Sequence, residues 1–186
     1  MSINLQLVLE NEFIRLQPLQ QNDFERLYAV ASDPLIWEQH PNKDRYKREV
    51  FQIYFEGAME SKGALLLIDK RSGEVAGSSR FYDYHETESS LLIGYTFVAR
   101  KFWGKFYNPA MKTLMIDHAF QYVDRILFHI GATNLRSQIA IGRVGAVKQK
   151  EISVAYHGEP EKLNFEYLLE KEIWQQHKTN KAIRIS

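Results

Sequence analysis

The side chains of this sequence that could do chemistry gather in two short stretches. The first reads Arg100-Lys101-Phe102-Trp103-Gly104-Lys105-Phe106-Tyr107-Asn108. Lys101 and Lys105 supply positive charge, and Gly104 lets backbone approach a ligand closely. Asn108 suits a helix N-cap and Pro109 the first helical position, where a missing N–H costs nothing. A basic loop that opens onto a helix N-terminus is suited to phosphate, because free N–H groups and the positive dipole end point at the ligand. The same residues also make an ordinary solvated basic turn, and one glycine is far less than a P-loop. The second stretch reads Asn134-Leu135-Arg136-Ser137-Gln138-Ile139-Ala140-Ile141-Gly142-Arg143-Val144-Gly145-Ala146. By itself it is an Asx turn at Asn134, a cap at Ser137 and a stop at Gly145.

The elements that must hold these stretches follow from periodicity. Residues 13–19 alternate as a strand. Asn22 or Asp23 caps a helix with Phe24, Leu27, Tyr28 and Ala31 on its apolar face, and Asp33-Pro34 ends it. A second helix is expected over residues 46–60, with Phe51, Tyr54, Phe55, Ala58 and Met59 on one stripe. Residues 64–69 and 74–82 form a hairpin about a turn at residues 70–73, and residues 91–99 form a long strand. A helix over residues 108–122 and an apolar strand over residues 126–130 complete a βαβ unit, so its two strands should be parallel with a right-handed crossover. A short helix at residues 137–144 and strands near residues 146–156 and 164–171 close the chain. The class is an α/β mixed sheet with helices on both faces. The basic loop then lies at the carboxyl end of a parallel strand, where open α/β sheets bind ligands.

Composition narrows the chemistry. The chain has 186 residues, 24 basic and 23 acidic side chains and a net charge of +1. That length suits a single domain over residues 1–186. A balanced surface argues against nucleic acid or a membrane as the main partner. The absence of cysteine removes disulfides, thiolate metal sites and a cysteine nucleophile, and agrees with a cytoplasmic location. No signal peptide or spanning segment is expected. Ten Tyr, eleven Phe and three Trp imply a large aromatic core or an aromatic-lined cleft.

Taken together, the two stretches resemble the GNAT acetyltransferases, in the branch that includes ribosomal-protein N-terminal acetyltransferases. The family's pyrophosphate motif, Gln/Arg-x-x-Gly-x-Gly/Ala, falls on Lys101, Phe102, Trp103, Gly104, Lys105 and Phe106. Lys101 replaces Gln/Arg, and Phe106 replaces the small residue. The second motif, Asn-x-x-Ser, a helix and then basic-x-Gly, falls on Asn134, Ser137, Arg143 and Gly145. The order of elements agrees over residues 13–174.

The resemblance implies a mostly antiparallel sheet in which one parallel strand pair splays apart. Acetyl-CoA is the implied cosubstrate, with no metal. Its pantetheine arm would lie against Phe97, Val98 and Ala99, its pyrophosphate on the Lys101–Phe106 loop, and Asn134, Ser137 and Arg143 beside the arm. The implied reaction is direct acetyl transfer to a primary amine, either a small molecule or a peptide N-terminus. A homodimer is left open. The family's strand glutamate is replaced by Leu92 and its helix tyrosine by Ile141. A catalytically inactive module that binds acyl-CoA or a protein is therefore the alternative.

The remaining acid–base candidates are few. Glu86 and Glu88 precede the long strand, as a base or as solvated charges. Ser137 could donate to the thiolate or simply start a helix. His85 is expected near the strand mouth and has a suitable intrinsic pKa. His157 reads as a loop residue, and His118 and His129 as packed helix and strand residues. Phe106 should crowd the phosphate loop. No His/Glu spacing resembles a metal site.

Overall fold

A computed structural model describes residues 3–183; the remaining ends of the expected 1–186 domain lie outside it. The strands are β1 (Leu9–Glu10), β2 (Ile14–Pro18), β3 (Ala64–Asp69), β4 (Val75–His85), β5 (Ser90–Val98), β6 (Arg125–Gly131), β7 (Val147–Val154) and β8 (Lys162–Glu170). The helices are α1 (Phe24–Ala31), α2 (Arg48–Glu60), α3 (Tyr107–Ala119), α4 (Leu135–Gly142) and α5 (Lys171–Ile183). One sheet runs in the order β1-β2-β3-β4-β5-β6-β8-β7. Every neighbouring pair is antiparallel except β5 and β6, which are parallel.

Alternation along the strands divides the core in two. Leu91 and Ile93 of β5, and Ile126, Phe128 and Ile130 of β6, join Met111, Met115 and Ile116 of α3. Leu66 of β3 and Phe97 of β5 join Leu27 of α1 and Phe51, Tyr54 and Phe55 of α2 on the other face. The mixed sheet with helices on both faces is thus as the sequence implies, and residues 64–69 form β3 with the expected bounds.

Several boundaries differ, each for a local reason. The chain at Lys47 is extended, so α2 starts at Arg48 and residues 43–46 form a separate 3-10 turn. The N-cap of α3 is Phe106 rather than Asn108. Tyr107 is drawn into the helix by burial and by donating from its hydroxyl to Asp69 Oδ1 at 3.1 Å. Pro109 still costs little, because the first four N–H groups of a helix have no intrahelical acceptor. Asn134 rather than Ser137 caps α4, its Oδ1 accepting from the Ser137 N–H at 3.2 Å. Two elements carry no clear sequence pattern. β1 is only a two-residue strand paired to β2. α5 is a polar helix held by buried Trp174, whose indole donates to Asp117 Oδ1 at 2.7 Å.

One buried ion pair anchors the end of the molecule that bears on function. Arg45, 1% exposed, donates through Nε (2.9 Å) and Nη2 (2.8 Å) to one oxygen of Glu159 on the β7–β8 loop. Trp37, Tyr54, Tyr95 and Tyr156 surround its guanidinium, with ring centroids 5.1–5.8 Å away. Removing one partner of such a pair strands a buried charge, at a cost of about 3–5 kcal/mol. Glu159→Ala should therefore lower the melting temperature by roughly 10 °C for a chain of this size. Arg45→Met combined with Glu159→Leu should recover most of that loss in the same calorimetric scan. Additive losses in the double variant would show that the pair does not act as a unit.

Candidate active site

β5 and β6 pair only at Ser90–Arg125, Leu91–Ile126 and Leu92–Leu127. Beyond Leu92 and Leu127 the two strands carry on without each other, to Val98 and Gly131. Tyr95 has φ +52°, and the register between β4 and β5 shifts between Ser78 and Arg80. A bulge of this kind bends a strand and sharpens its twist. The result is a wedge that opens toward the carboxyl ends of β5 and β6.

The basic loop lies at the mouth of the wedge. Gly104 has φ +71°, a conformation that glycine adopts without strain, and a Cβ built there would meet nothing within 4 Å. Among the described residues, no intramolecular acceptor takes the N–H of Gly104, Lys105, Phe106, Tyr107 or Asn108. The carbonyl oxygen of the Asn108 side chain is buried with no donor. Consecutive free N–H groups ahead of a helix, open space over a glycine and an orphaned acceptor fit a phosphate-bearing ligand that also carries amide donors. Lys101 is committed to Glu74 at 2.7 Å, and Arg100 is ion-paired with Asp33. Lys105 is the exposed loop cation with no acidic partner among the described residues. Phe106 does not crowd the loop as expected. Its ring packs on Phe13 and Tyr107, with centroids 4.8 and 4.5 Å away.

The other expected contacts are partly committed to the fold. The Val98 carbonyl accepts from the Trp103 indole at 2.7 Å, and the Ala99 N–H donates to Ala76 at 2.8 Å. Phe97 and Phe102 are buried. Arg136 bridges the mouth: its guanidinium stacks 4.0 Å from the Trp103 ring centroid and donates to the Ile36 carbonyl at 3.2 Å. Asn134 and Ser137 sit at the head of α4, beyond β6, while Arg143 is exposed at its far end.

Glu86 and Glu88 are exposed in the β4–β5 turn, and the Glu88 carbonyl accepts from Arg125 at 2.6 Å. That turn precedes β5, about 25 Å along the strand from the basic loop at about 3.3 Å per residue. The structure therefore does not bring Glu88 to the wedge mouth. His85 lies at the same far end, paired with Ser90. His118 is buried, its Nε2 2.9 Å from the Asn4 carbonyl. His157 packs on Gly57 of α2.

His129 is the residue that sequence reasoning underrated. It lies on β6 just past the last paired residue and lines a cavity of about 590 Å³ with Tyr82, Asp83, Tyr95, Tyr156 and Glu166. Its Nε2 is 3.2 Å from Glu166 Oε2, directly across the β6–β8 ladder. Burial lowers the His129 pKa, and the Glu166 bond partly offsets this. Burial also raises the pKa of Tyr82, Tyr95 and Tyr156, so their phenols stay protonated as donors. Arg80, 3% exposed, stacks 3.8 Å from the Tyr95 ring centroid and donates to the Gly57 and Tyr54 carbonyls at 3.0 and 3.3 Å. Asp83, like Tyr95, has a positive φ, +47°. Backbone strain of this sort gathers at functional sites. The signal available in the sequence was the alternation of Phe128-His129-Ile130, which turns His129 to the face opposite its apolar neighbours.

Residues 14–147 match the model of the acetyltransferase (GNAT) domain. The chain belongs to the GNAT acetyltransferase family. A GCN5-related N-acetyltransferase from Brucella melitensis superposes with a TM-score of 0.78 at 18% identity, covering 94% of this chain and 85% of that one. A GNAT-family acetyltransferase from Bacillus anthracis gives 0.68 at 16% identity, over 89% and 99%. RimJ of Mycobacterium smegmatis, solved in complex with CoA-disulfide, gives 0.65 at 18% identity, over 86% and 82%. Comparison with curated proteins finds no match. Among the described residues no helix is long and apolar enough to cross a membrane, and no cluster of side chains could hold a metal ion.

The GNAT loop yields a binding prediction that needs no substrate. Acetyl-CoA at about 100 times its dissociation constant should stabilise the protein by roughly 2.7 kcal/mol. That is a rise of roughly 5–10 °C in melting temperature. Gly104→Glu puts a carboxylate and a positive-φ side chain where the free N–H groups converge, and should abolish the rise while the variant still melts cooperatively. A full shift in that variant would move the phosphate site elsewhere.

Proposed function

We propose that this GNAT protein transfers an acetyl group from acetyl-CoA to a primary amine by direct attack. The observation that carries the proposal is the meeting of wedge and cavity at Tyr95 and His129: one side offers a groove for a thioester arm, the other a polar pocket for an acceptor. The pyrophosphate would rest on the N–H groups of Gly104, Lys105 and Phe106, with the Lys105 ammonium beside it. Asn134 and Ser137 would face the arm. A small-molecule amine and a peptide N-terminus both have the required nucleophile, and Asp83 and Glu166 offer carboxylates to an ammonium, although Arg80 in the lining and Lys150, paired with Glu166, balance their charge.

Direct attack needs the amine neutral. His129 supplies the base. Glu166 accepts from Nε2–H, which fixes the tautomer and leaves Nδ1 as the proton acceptor, the logic of a carboxylate-oriented histidine. No glutamate is then required at Leu92. The lowered His129 pKa keeps the imidazole neutral at physiological pH.

The test is thiol release from acetyl-CoA against a panel of amines and N-terminal peptides. His129→Ala should lower kcat by about 10²–10⁴, as loss of a general base does, while keeping the acetyl-CoA thermal shift. Glu88→Ala should stay within about tenfold of the parent, since its loss removes no base. For the parent, kcat/KM should fall as pH drops through the His129 pKa, which lies below the ordinary histidine value because burial disfavours the imidazolium. A protein that binds acetyl-CoA but acetylates nothing would instead be an acyl-CoA-binding module.

A further inference from the structure

Lys112 is buried in the middle of α3, 5% exposed, among apolar neighbours. Its Nζ donates to Thr96 Oγ1 at 2.8 Å, and that hydroxyl lies 2.8 Å from Ser79 Oγ. It also stands 5.7 Å from the centroid of the Phe128 ring. Thr96 is on β5 and Phe128 on β6, and both lie past Leu92 and Leu127, where the two strands stop pairing. The amine therefore stands at the gap between the strands, on the α3 face of the sheet. His129 follows Phe128 in the chain and turns to the opposite face.

Stability gives no reason for a lysine here. Among the described residues no carboxylate pairs with it, and the polar groups toward it are hydroxyls: Thr96 on β5 and, through Thr96, Ser79 on β4. An ammonium buried without a counter-ion is costly, and a methionine would fill the same space at less cost. Burial alone brings the Lys112 pKa down to about 7. A buried cation with spare N–H donors at the edge of a ligand groove is a candidate for work on the ligand.

We propose that Lys112 is a catalytic residue of the acetyl transfer, its ammonium donating a proton to the sulfur that leaves the thioester. This rests on the acetyl-transfer assignment above and supplies the acid that the family's helix tyrosine would provide at Ile141. The acceptor amine attacks the acetyl carbon from the His129 side of the sheet. The new N–C bond forms, the C–S bond breaks, and the electron pair leaves with sulfur toward Lys112. The ammonium acceptor gives up one proton through His129 before attack and a second after it, while Lys112 protonates the sulfur and is recharged from solvent. One proton is released per acetyl group transferred.

The test compares the parent, Lys112→Met and Thr96→Val. Lys112→Met should bind acetyl-CoA by calorimetry within about threefold of the parent, yet lose about 10²–10⁴ in kcat, the scale of a general acid. It should also lose the fall in kcat that the parent shows as pH rises through the Lys112 pKa. Thr96→Val, which frees the amine from its hydroxyl partner, should lower kcat in the same direction. A second readout needs no turnover: the ultraviolet absorbance of bound CoA thiolate should titrate at lower pH in the parent than in Lys112→Met. A parent that turns over while Lys112→Met keeps its kcat and pH profile overturns the role of Lys112 alone. A parent that acetylates no amine overturns the acetyl-transfer assignment and this role with it. An acetyl group found on Lys112 by mass spectrometry after incubation with acetyl-CoA alone would also overturn it, because the lysine would then be a nucleophile.

Discussion

Hydrogen bonding between β5 and β6 stops after Leu92 and Leu127, and most of what is distinctive in this molecule follows from that interruption. A sheet interior does not normally leave backbone groups unpaired. Here the bulge at Tyr95 swings β5 away, and the two strand ends acquire separate surroundings. β5 runs into the loop whose free N–H groups precede α3. β6 runs past Pro41, which packs against Gly131, toward the Asn134 cap of α4. Arg136 and Trp103 stack across the opening and keep the two loops in a fixed relation.

The same interruption lets polar side chains reach the sheet plane from both faces. In an unbroken sheet, His129 and Lys112 would be separated by a continuous layer of backbone and apolar side chains. In this chain they approach one gap from opposite sides. Each is disfavoured in its charged form by burial, and each has a partner of limited strength, Glu166 for one and a threonine hydroxyl for the other. Burial brings the Lys112 pKa to about 7, so this amine changes protonation state near physiological pH, while the His129 imidazole stays neutral there.

Much of the fold could be read from the sequence because its strongest signals are local. The apolar run of β3, the stripe Phe51, Tyr54, Phe55 and Ala58, and the βαβ order around α3 all depend on residues near one another in the chain. The place of the basic loop, between β5 and α3, was legible for the same reason. What escaped depends on distance in sequence. Glu88 looked close to the site because it precedes β5, but a strand is long, and the turn before it is at the wrong end. His129 looked like a packing residue because Phe128 and Ile130 flank it, and Lys112 stood out by no motif at all. Their meaning comes from Glu166 on β8 and from Thr96 on β5, which only the assembled sheet brings near. The cap of α3 was misplaced because burial of Tyr107 and its bond to Asp69 outweighed the preference of Asn108 for a helix start.

The loop between β7 and β8 carries Tyr156 to the cavity wall and is tied to the rest of the protein through Arg45 and Glu159, with His157 and Gly158 packed on α2. Arg45 belongs to the segment before α2, and among the described residues it makes no hydrogen bond or ion pair to the Lys101–Phe106 loop. On the proposed function the molecule is divisible: one portion would grip a common donor, and a separately fastened flap would frame whatever receives the group. A descendant could exchange residues 155–161 for a loop of different length, provided an acid returns to meet Arg45, and alter its choice of acceptor while its nucleotide grip stays untouched. The ion pair is in this sense a socket, and diversification of such a protein would proceed by refitting what plugs into it.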